Sequence, residues 1–179
     1  MRVDIRKRLR ELDPATAELS AAAIRGQVEA LPEYQRAGTV FAFVGAKWEI
    51  DTKELLRNAL AAGKRVAVPL CVGPGIMEAR LISGLDELAP GAYGIPAPLA
   101  SCPVCPPAEI DFAVIPCVAC DRAGRRLGQG GGYYDRFLAG AAFTKAAICR
   151  DIGLVDRIPA EPRDHPVDCV VTETAVYRR

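Results

Sequence analysis

Short apolar runs separated by longer mixed segments set the rhythm of this chain. Thr39 to Val44, Arg65 to Leu70, Met77 to Ser83, Asp111 to Pro116, Lys145 to Cys149 and Asp168 to Thr172 have strand length and strand-forming side chains. The mixed segments 3–12, 14–30 and 52–62 read as helices. Asp13 is placed to cap the second and Pro14 to open it. Asp51 is expected to cap the third, with Glu54 as its capping-box partner and Gly63 as its C-terminal stop. Pro90 to Pro107 is crowded with proline, glycine and cysteine, so a long loop is predicted there. Alternation of strands and helices predicts an α/β fold with a mainly parallel sheet covered by helices. In such a sheet, ligands bind beyond the carboxyl ends of the strands.

Composition narrows the function. A chain of 179 residues with 50% apolar content is expected to form one domain, 1–179, with a sizeable core. Its 23 basic and 22 acidic side chains leave a net charge of +1, which argues against nucleic acid as a partner. No run has the length to span a bilayer, and no apolar stretch follows the basic start, so a soluble cytoplasmic protein with no membrane partner is expected. One histidine, His165, excludes Ser-His-Asp and multi-histidine metal schemes. Seven cysteines include two Cys-x-x-Cys pairs, Cys102/Cys105 and Cys117/Cys120, a spacing that often holds zinc. The strand expected between them puts the pairs at opposite ends, so reduced thiols are predicted rather than one shared site. Arg2, Arg6 and Arg10 share one helix face, and mutual repulsion predicts that this face is solvated.

The densest chemistry lies in Gly124 to Arg136, Gly-Arg-Arg-Leu-Gly-Gln-Gly-Gly-Gly-Tyr-Tyr-Asp-Arg. Glycines let backbone N–H groups approach an anion, and a helix starting at Tyr133 would turn its free N–H groups toward phosphate. Arg125 and Arg126 add charge, Tyr133 and Tyr134 can stack on a ring, and Asp135 can hold a cation. The run has neither the Walker A pattern nor the dinucleotide spacing. Taken alone it reads either as a nucleotide-phosphate site or as a glycine-rich surface loop that begins a helix. On its own Glu49 reads more readily as a surface acid before a helix than as a ligand, Trp48 as a core or rim residue, and Tyr93 as loop packing or a stacking wall.

The run resembles the signature of the 5-formyltetrahydrofolate cyclo-ligase family, Gly-x-Arg-Leu-Gly-x-Gly-x-Gly-Tyr-Tyr-Asp-Arg. Glu49-Ile50-Asp51-Thr52, Gly63 to Pro69, Gly94 to Pro98, Asp111 to Pro116 and Ile158 to Asp164 extend the resemblance over most of the chain. It implies a three-layer fold of the NagB/RpiA/CoA-transferase-like kind, and ATP-dependent closure of 5-formyltetrahydrofolate to 5,10-methenyltetrahydrofolate through a phosphorylated formyl intermediate. A protein of another class, keeping the fold and binding a nucleotide or pterin without turnover, is the alternative. Under the resemblance Arg126, Tyr133 and Asp135 are catalytic. ATP lies against Arg2, Arg126, Leu127, Gly128, Gln129, Gly130, Gly131, Gly132, Tyr133, Tyr134 and Asp135. Glu49, Trp48, Tyr93 and Tyr133 meet the folate, and Mg²⁺ lies near Asp135 and Asp164. The expected molecule is a monomer.

Overall fold

The computed structural model describes residues 1–45, 48–91, 94–159 and 164–179. Three helices open the chain: α1 (Arg2–Arg10), α2 (Pro14–Glu29) and α3 (Pro32–Arg36). Strand β1 (Thr39–Ala42) leads through α4 (Lys53–Ala61) to β2 (Arg65–Gly73) and β3 (Ile76–Ile82). Short strands β4 (Leu88–Pro90), β5 (Pro96–Pro98) and β6 (Val104–Cys105) precede β7 (Phe112–Pro116), β8 (Ala119–Asp121) and β9 (Arg126–Leu127). After α5 (Tyr133–Leu138) come β10 (Thr144–Ile148), β11 (Leu154–Val155), β12 (Cys169–Val171) and β13 (Val176–Arg178).

Eight strands form the main sheet in the order β13-β12-β10-β7-β1-β2-β3-β6. The inner run from β12 to β2 is parallel, and β13, β3 and β6 join antiparallel at the edges. The mainly parallel sheet read from the sequence is therefore present. Its inner strands are apolar on both faces because both faces are covered. Val40, Ala42, Val66, Val68, Phe112, Val114 and Ile148 pack on the side of α2 and α4. Phe41, Ala67, Ala113, Ile115 and Ala147 pack on the side of α5. Small residues on that second face let α5 come close, and Phe137 stacks on Phe41 with ring centroids 4.8 Å apart. A third cluster, Ile5, Leu9, Val118, Ala119 and Ile158, seats α1 over the carboxyl ends of the strands.

Two expectations need correction. Pro90 to Pro107 is not one loop: β5 pairs with β4, and β6 extends the main sheet beside β3. Strands of two or three residues are too short to show a period. Helix α4 is capped at Thr52 without a side-chain cap bond, because the Thr52 hydroxyl donates to Phe43 O at 2.6 Å. Asp51 instead accepts from Lys53 N at 2.9 Å, and Glu54 turns away to pair with Arg57. The two Cys-x-x-Cys pairs are indeed apart, with Cys105 on the edge strand β6.

Two contacts anchor the glycine-rich segment. Gly124 has φ +79°, and Val167 N donates to its carbonyl at 2.9 Å. A Cβ at Gly124 would lie 2.5 Å from Val167 O, whereas one at Gly63 (φ +77°) would meet nothing within 4 Å. Asp121 is buried and accepts from Ala123 N and Arg125 N at 3.0 Å and from Ile158 N at 2.9 Å. Burial raises its pKa, but these amides together outweigh burial and hold it below the ordinary carboxylate value.

Gly63→Ala should cost about 1–2 kcal/mol from backbone strain alone. Gly124→Ala should cost clearly more, since a carbonyl must also move; paired urea titrations would measure the difference. Asp121→Asn should destabilise by about 1–3 kcal/mol at neutral pH. Because the folded pKa of Asp121 is depressed, its stabilisation is present above the unfolded value and lost as pH falls through the folded value. The gap between wild type and Asp121→Asn should thus be constant from about pH 5 to 8 and shrink below about pH 4. Denaturation midpoints across that range would check it.

Candidate active site

The order of the parallel strands reverses between β1 and β7, with β2 built out on one side and β10 and β12 on the other. Connections leaving two adjacent strands in opposite directions part at their carboxyl ends and leave a crevice. A narrow cleft lies there, lined by Phe43, Trp48, Glu49, Pro116, Cys117 and Arg150 among others. Trp48 and Glu49 are thus brought to the place where the topology predicts a ligand.

The glycine run borders this cleft. Gln129 Nε2 donates to Glu49 Oε1 at 3.1 Å, and Arg6 Nη2 donates to Gln129 Oε1 at 2.8 Å. One side chain therefore ties the loop to both the cleft and α1. A Cβ at Gly130 (φ +101°) would stand 3.5 Å from Arg2 Nη1, so Arg2 lies over the loop. Arg6 and Arg10 approach the Trp48 ring, 5.7 Å and 5.9 Å from its centroid. Of the α1 arginines, expected to be solvated, Arg2 and Arg10 are exposed and Arg6 is half-buried, and all three also border the site. Repulsion between the guanidiniums is offset by Trp48 and by the acceptor on Gln129.

Arg126 is the buried charge at the centre. Its side chain is 4% exposed, and Nη2 donates to Asp135 Oδ1 at 2.6 Å. Its guanidinium lies 5.9 Å from the Tyr134 ring centroid. Burial, then the Glu49 carboxylate, pushes the Tyr134 hydroxyl far up, so it stays protonated. Arg126 Nε and Arg6 Nε are both buried without an acceptor among the described residues. An orphaned charged donor is costly, and two of them flanking a glycine loop suit an anion.

Other candidate residues fall around this pair. Gly132 has φ +68° at the N-cap of α5, and Arg136 Nη1 bonds Gly131 O at 3.1 Å and Gly75 O at 3.2 Å, closing the loop onto the β2–β3 turn. Gly128 lies beside Arg126, and Tyr133 beneath Gly131. Leu127 packs in the third core cluster and holds its place through Val118 N→Leu127 O at 2.7 Å, so its side chain is structural. Helix α5 has six residues, so loop amides and arginines outweigh a helix dipole here. Asp164 is half-buried ahead of β12. Tyr93 lies outside the described residues.

Sequence reading missed Arg150. It is 5% exposed, with Nε on Ser20 Oγ at 3.1 Å and Nη1 on Trp48 O at 3.1 Å, so it pins the Trp48–Glu49 turn to α2. Burial lowers its pKa, and the Glu173 carboxylate opposes that effect. Only its position just after an apolar strand could have drawn notice.

No described helix is long and apolar enough to cross a membrane. The family model for the 5-formyltetrahydrofolate cyclo-ligase family matches residues 1–173. The chain is 32% identical over 179 residues to the 5-formyltetrahydrofolate cyclo-ligase of Escherichia coli K12, covering 97% of this chain and 98% of that one. It is 33% identical over 189 residues to the Mycolicibacterium smegmatis enzyme of the same name, covering 96% and 91%. The solved 5,10-methenyltetrahydrofolate synthetase of Aquifex aeolicus superposes with a TM-score of 0.85 at 28% identity, over 99% of this chain and 92% of that one. The synthetase of Mycoplasma pneumoniae, at 19% identity and TM-score 0.77 over 96% of each chain, shares the fold. Matched along its length in sequence and in fold, the chain belongs to the 5-formyltetrahydrofolate cyclo-ligase family.

Proposed function

We propose that this chain converts 5-formyltetrahydrofolate to 5,10-methenyltetrahydrofolate with ATP, folate in the β1/β7 cleft and phosphates on the glycine run. The observation that carries the assignment of sites is the buried Arg126, paired with Asp135 and with Nε lacking an acceptor among the described residues. The formyl oxygen is a poor leaving group, so the reaction starts with its attack on the γ-phosphorus and release of ADP. N10 then adds to the formyl carbon and loses its proton, and phosphate departs with the former formyl oxygen.

The chain's work in this is alignment and charge neutralisation. Glu49 accepts hydrogen bonds from the pterin, and Trp48, held by Arg150, forms a wall beside it. Arg126 and Arg2 neutralise phosphate charge while the amides from Gly128 to Gly132 approach the oxygens. Arg126 has five donors, so it can keep Asp135 and still bind phosphate. Tyr133 closes the loop side. Mg²⁺ arriving with the nucleotide suits this donor set, since it takes one or two carboxylates and completes its shell with phosphate and water. Asp135, 31% exposed, and Asp164 would hold it, and it would offset charge on the phosphate oxygens. We further infer a cytoplasmic monomer, whose reducing surroundings suit the free thiols.

Arg126→Ala should lower kcat by about 10²- to 10³-fold, the usual loss for one charge-stabilising donor. Glu49→Gln should raise KM for the folate and leave KM for ATP nearly unchanged. Both are read as growth of the methenyl-folate absorbance under Mg-ATP. Full activity in folded Arg126→Ala would move the phosphate site elsewhere. No turnover by wild type, with nucleotide or pterin still bound, would leave a non-catalytic relative.

A further inference from the structure

Three thiols lie together at the carboxyl ends of the sheet and take no part in the ring closure. The Sγ atoms of Cys117, Cys120 and Cys149 are all within 4.8 Å of one another. Cys117 follows β7 and Cys149 follows β10, strands whose last residues, Pro116 and Ile148, are paired in register. The next residue of each strand therefore falls beside its neighbour. The Cys-x-x-Cys turn then brings Cys120 back at the start of β8. Cys120 and Cys149 are 0% and 2% exposed, and Cys117 is half-buried and lines the cleft. A Cβ on Gly153 would come 3.0 Å from Cys149 Sγ, so the backbone is closed over that sulfur.

We propose that Cys117, Cys120 and Cys149 form a zinc site, with a fourth position that opens on the cleft. Zinc–sulfur bonds of about 2.3 Å in a tetrahedron put sulfurs about 3.8 Å apart, so the thiols must contract by at most about 1 Å. A Cys-x-x-Cys pair plus one ligand from an adjacent strand supplies three protein ligands, and three plus water is a familiar zinc coordination. Cys117 Sγ donates to Ile148 O and Cys149 Sγ to Arg150 O, each at 3.4 Å, so both sulfurs are held at the strand ends beside Cys120. Zinc takes thiolates, so binding releases the three thiol protons to solvent and leaves a net charge of −1 at the site.

The test is zinc binding by the full chain in reducing buffer, by competition with a chromogenic chelator, with Co²⁺ as a spectroscopic replacement. The expected result is one equivalent of zinc in wild type and in Cys102→Ser, with thiolate-to-cobalt charge-transfer bands. Cys117→Ser, whose position is the most exposed of the three, and Cys149→Ser should weaken binding beyond the roughly 10- to 100-fold cost of losing an outer-sphere partner. Thermal melts without metal show that each variant is folded. Wild-type protein that takes up no zinc overturns the proposal without any variant. So does Co²⁺ without charge-transfer bands, zinc that persists in Cys117→Ser, or zinc lost in Cys102→Ser. A Cys117–Cys149 or Cys120–Cys149 disulfide that forms in place of zinc uptake also overturns it.

Discussion

The reversal of strand order between β1 and β7 is the constraint on which the rest depends. Chain leaving β1 passes through Trp48 and Glu49 into α4, while chain leaving β7 turns through Cys117 into β8 and β9. Neither connection can cover the gap between the strand ends, so side chains of both line it. The carboxylate thought to read the folate and the loop thought to hold phosphate thus face one opening, although 80 positions separate Glu49 from Gln129. A parallel sheet makes this possible at low cost, because its polar connections project from the strand ends and its interior stays apolar.

Helix α1 completes the site from above, and its charges explain a paradox in the composition. Net charge is +1, which taken alone suggests no strong anion site. Yet Arg2, Arg6, Arg10, Arg126 and Arg150 gather around the cleft and its loop, with Glu49 and Asp135 among the acids beside them. Only the local field matters to a bound triphosphate, since exposed charges beyond about 8–10 Å are screened. Apolar contacts of Ile5 and Leu9 keep the helix in place against the mutual repulsion of its arginines. Burying two aliphatic side chains contributes about 3–6 kcal/mol, more than surface charge pairs lose.

Much of this was legible in the sequence, for identifiable reasons. Strands buried on both faces must be continuous apolar runs, so β1, β2, β7, β10 and β12 stood out with ends misplaced by a few residues. Phe43 and Val44 were counted in β1 because they are buried, at 4% and 2% exposed, although they pair with no strand. The glycine run was legible because positive φ and close approach are needed in one short stretch. Features made by distant partners were not. Arg150 looks like any residue after a strand until Ser20 and Trp48 are folded against it. Arg6 looks solvated until Trp48 and Gln129 arrive. Cys149 belongs to neither Cys-x-x-Cys pair, and only the β7–β10 register brings it to Cys117 and Cys120.

Gln129 shows how the two halves of the site are coupled. Its amide accepts from Arg6 and donates to Glu49, so helix, glycine loop and cleft share one side chain. A neutral amide is suited to this because it has both an acceptor and donors; a carboxylate would repel Glu49, and an ammonium could not accept from Arg6. Neither bond is deeply buried, and each contributes about 1 kcal/mol, so the bridge is weak enough to break. Folate drawing on Glu49, or phosphate drawing on Arg6, would remove one partner of Gln129 and loosen its hold on the other.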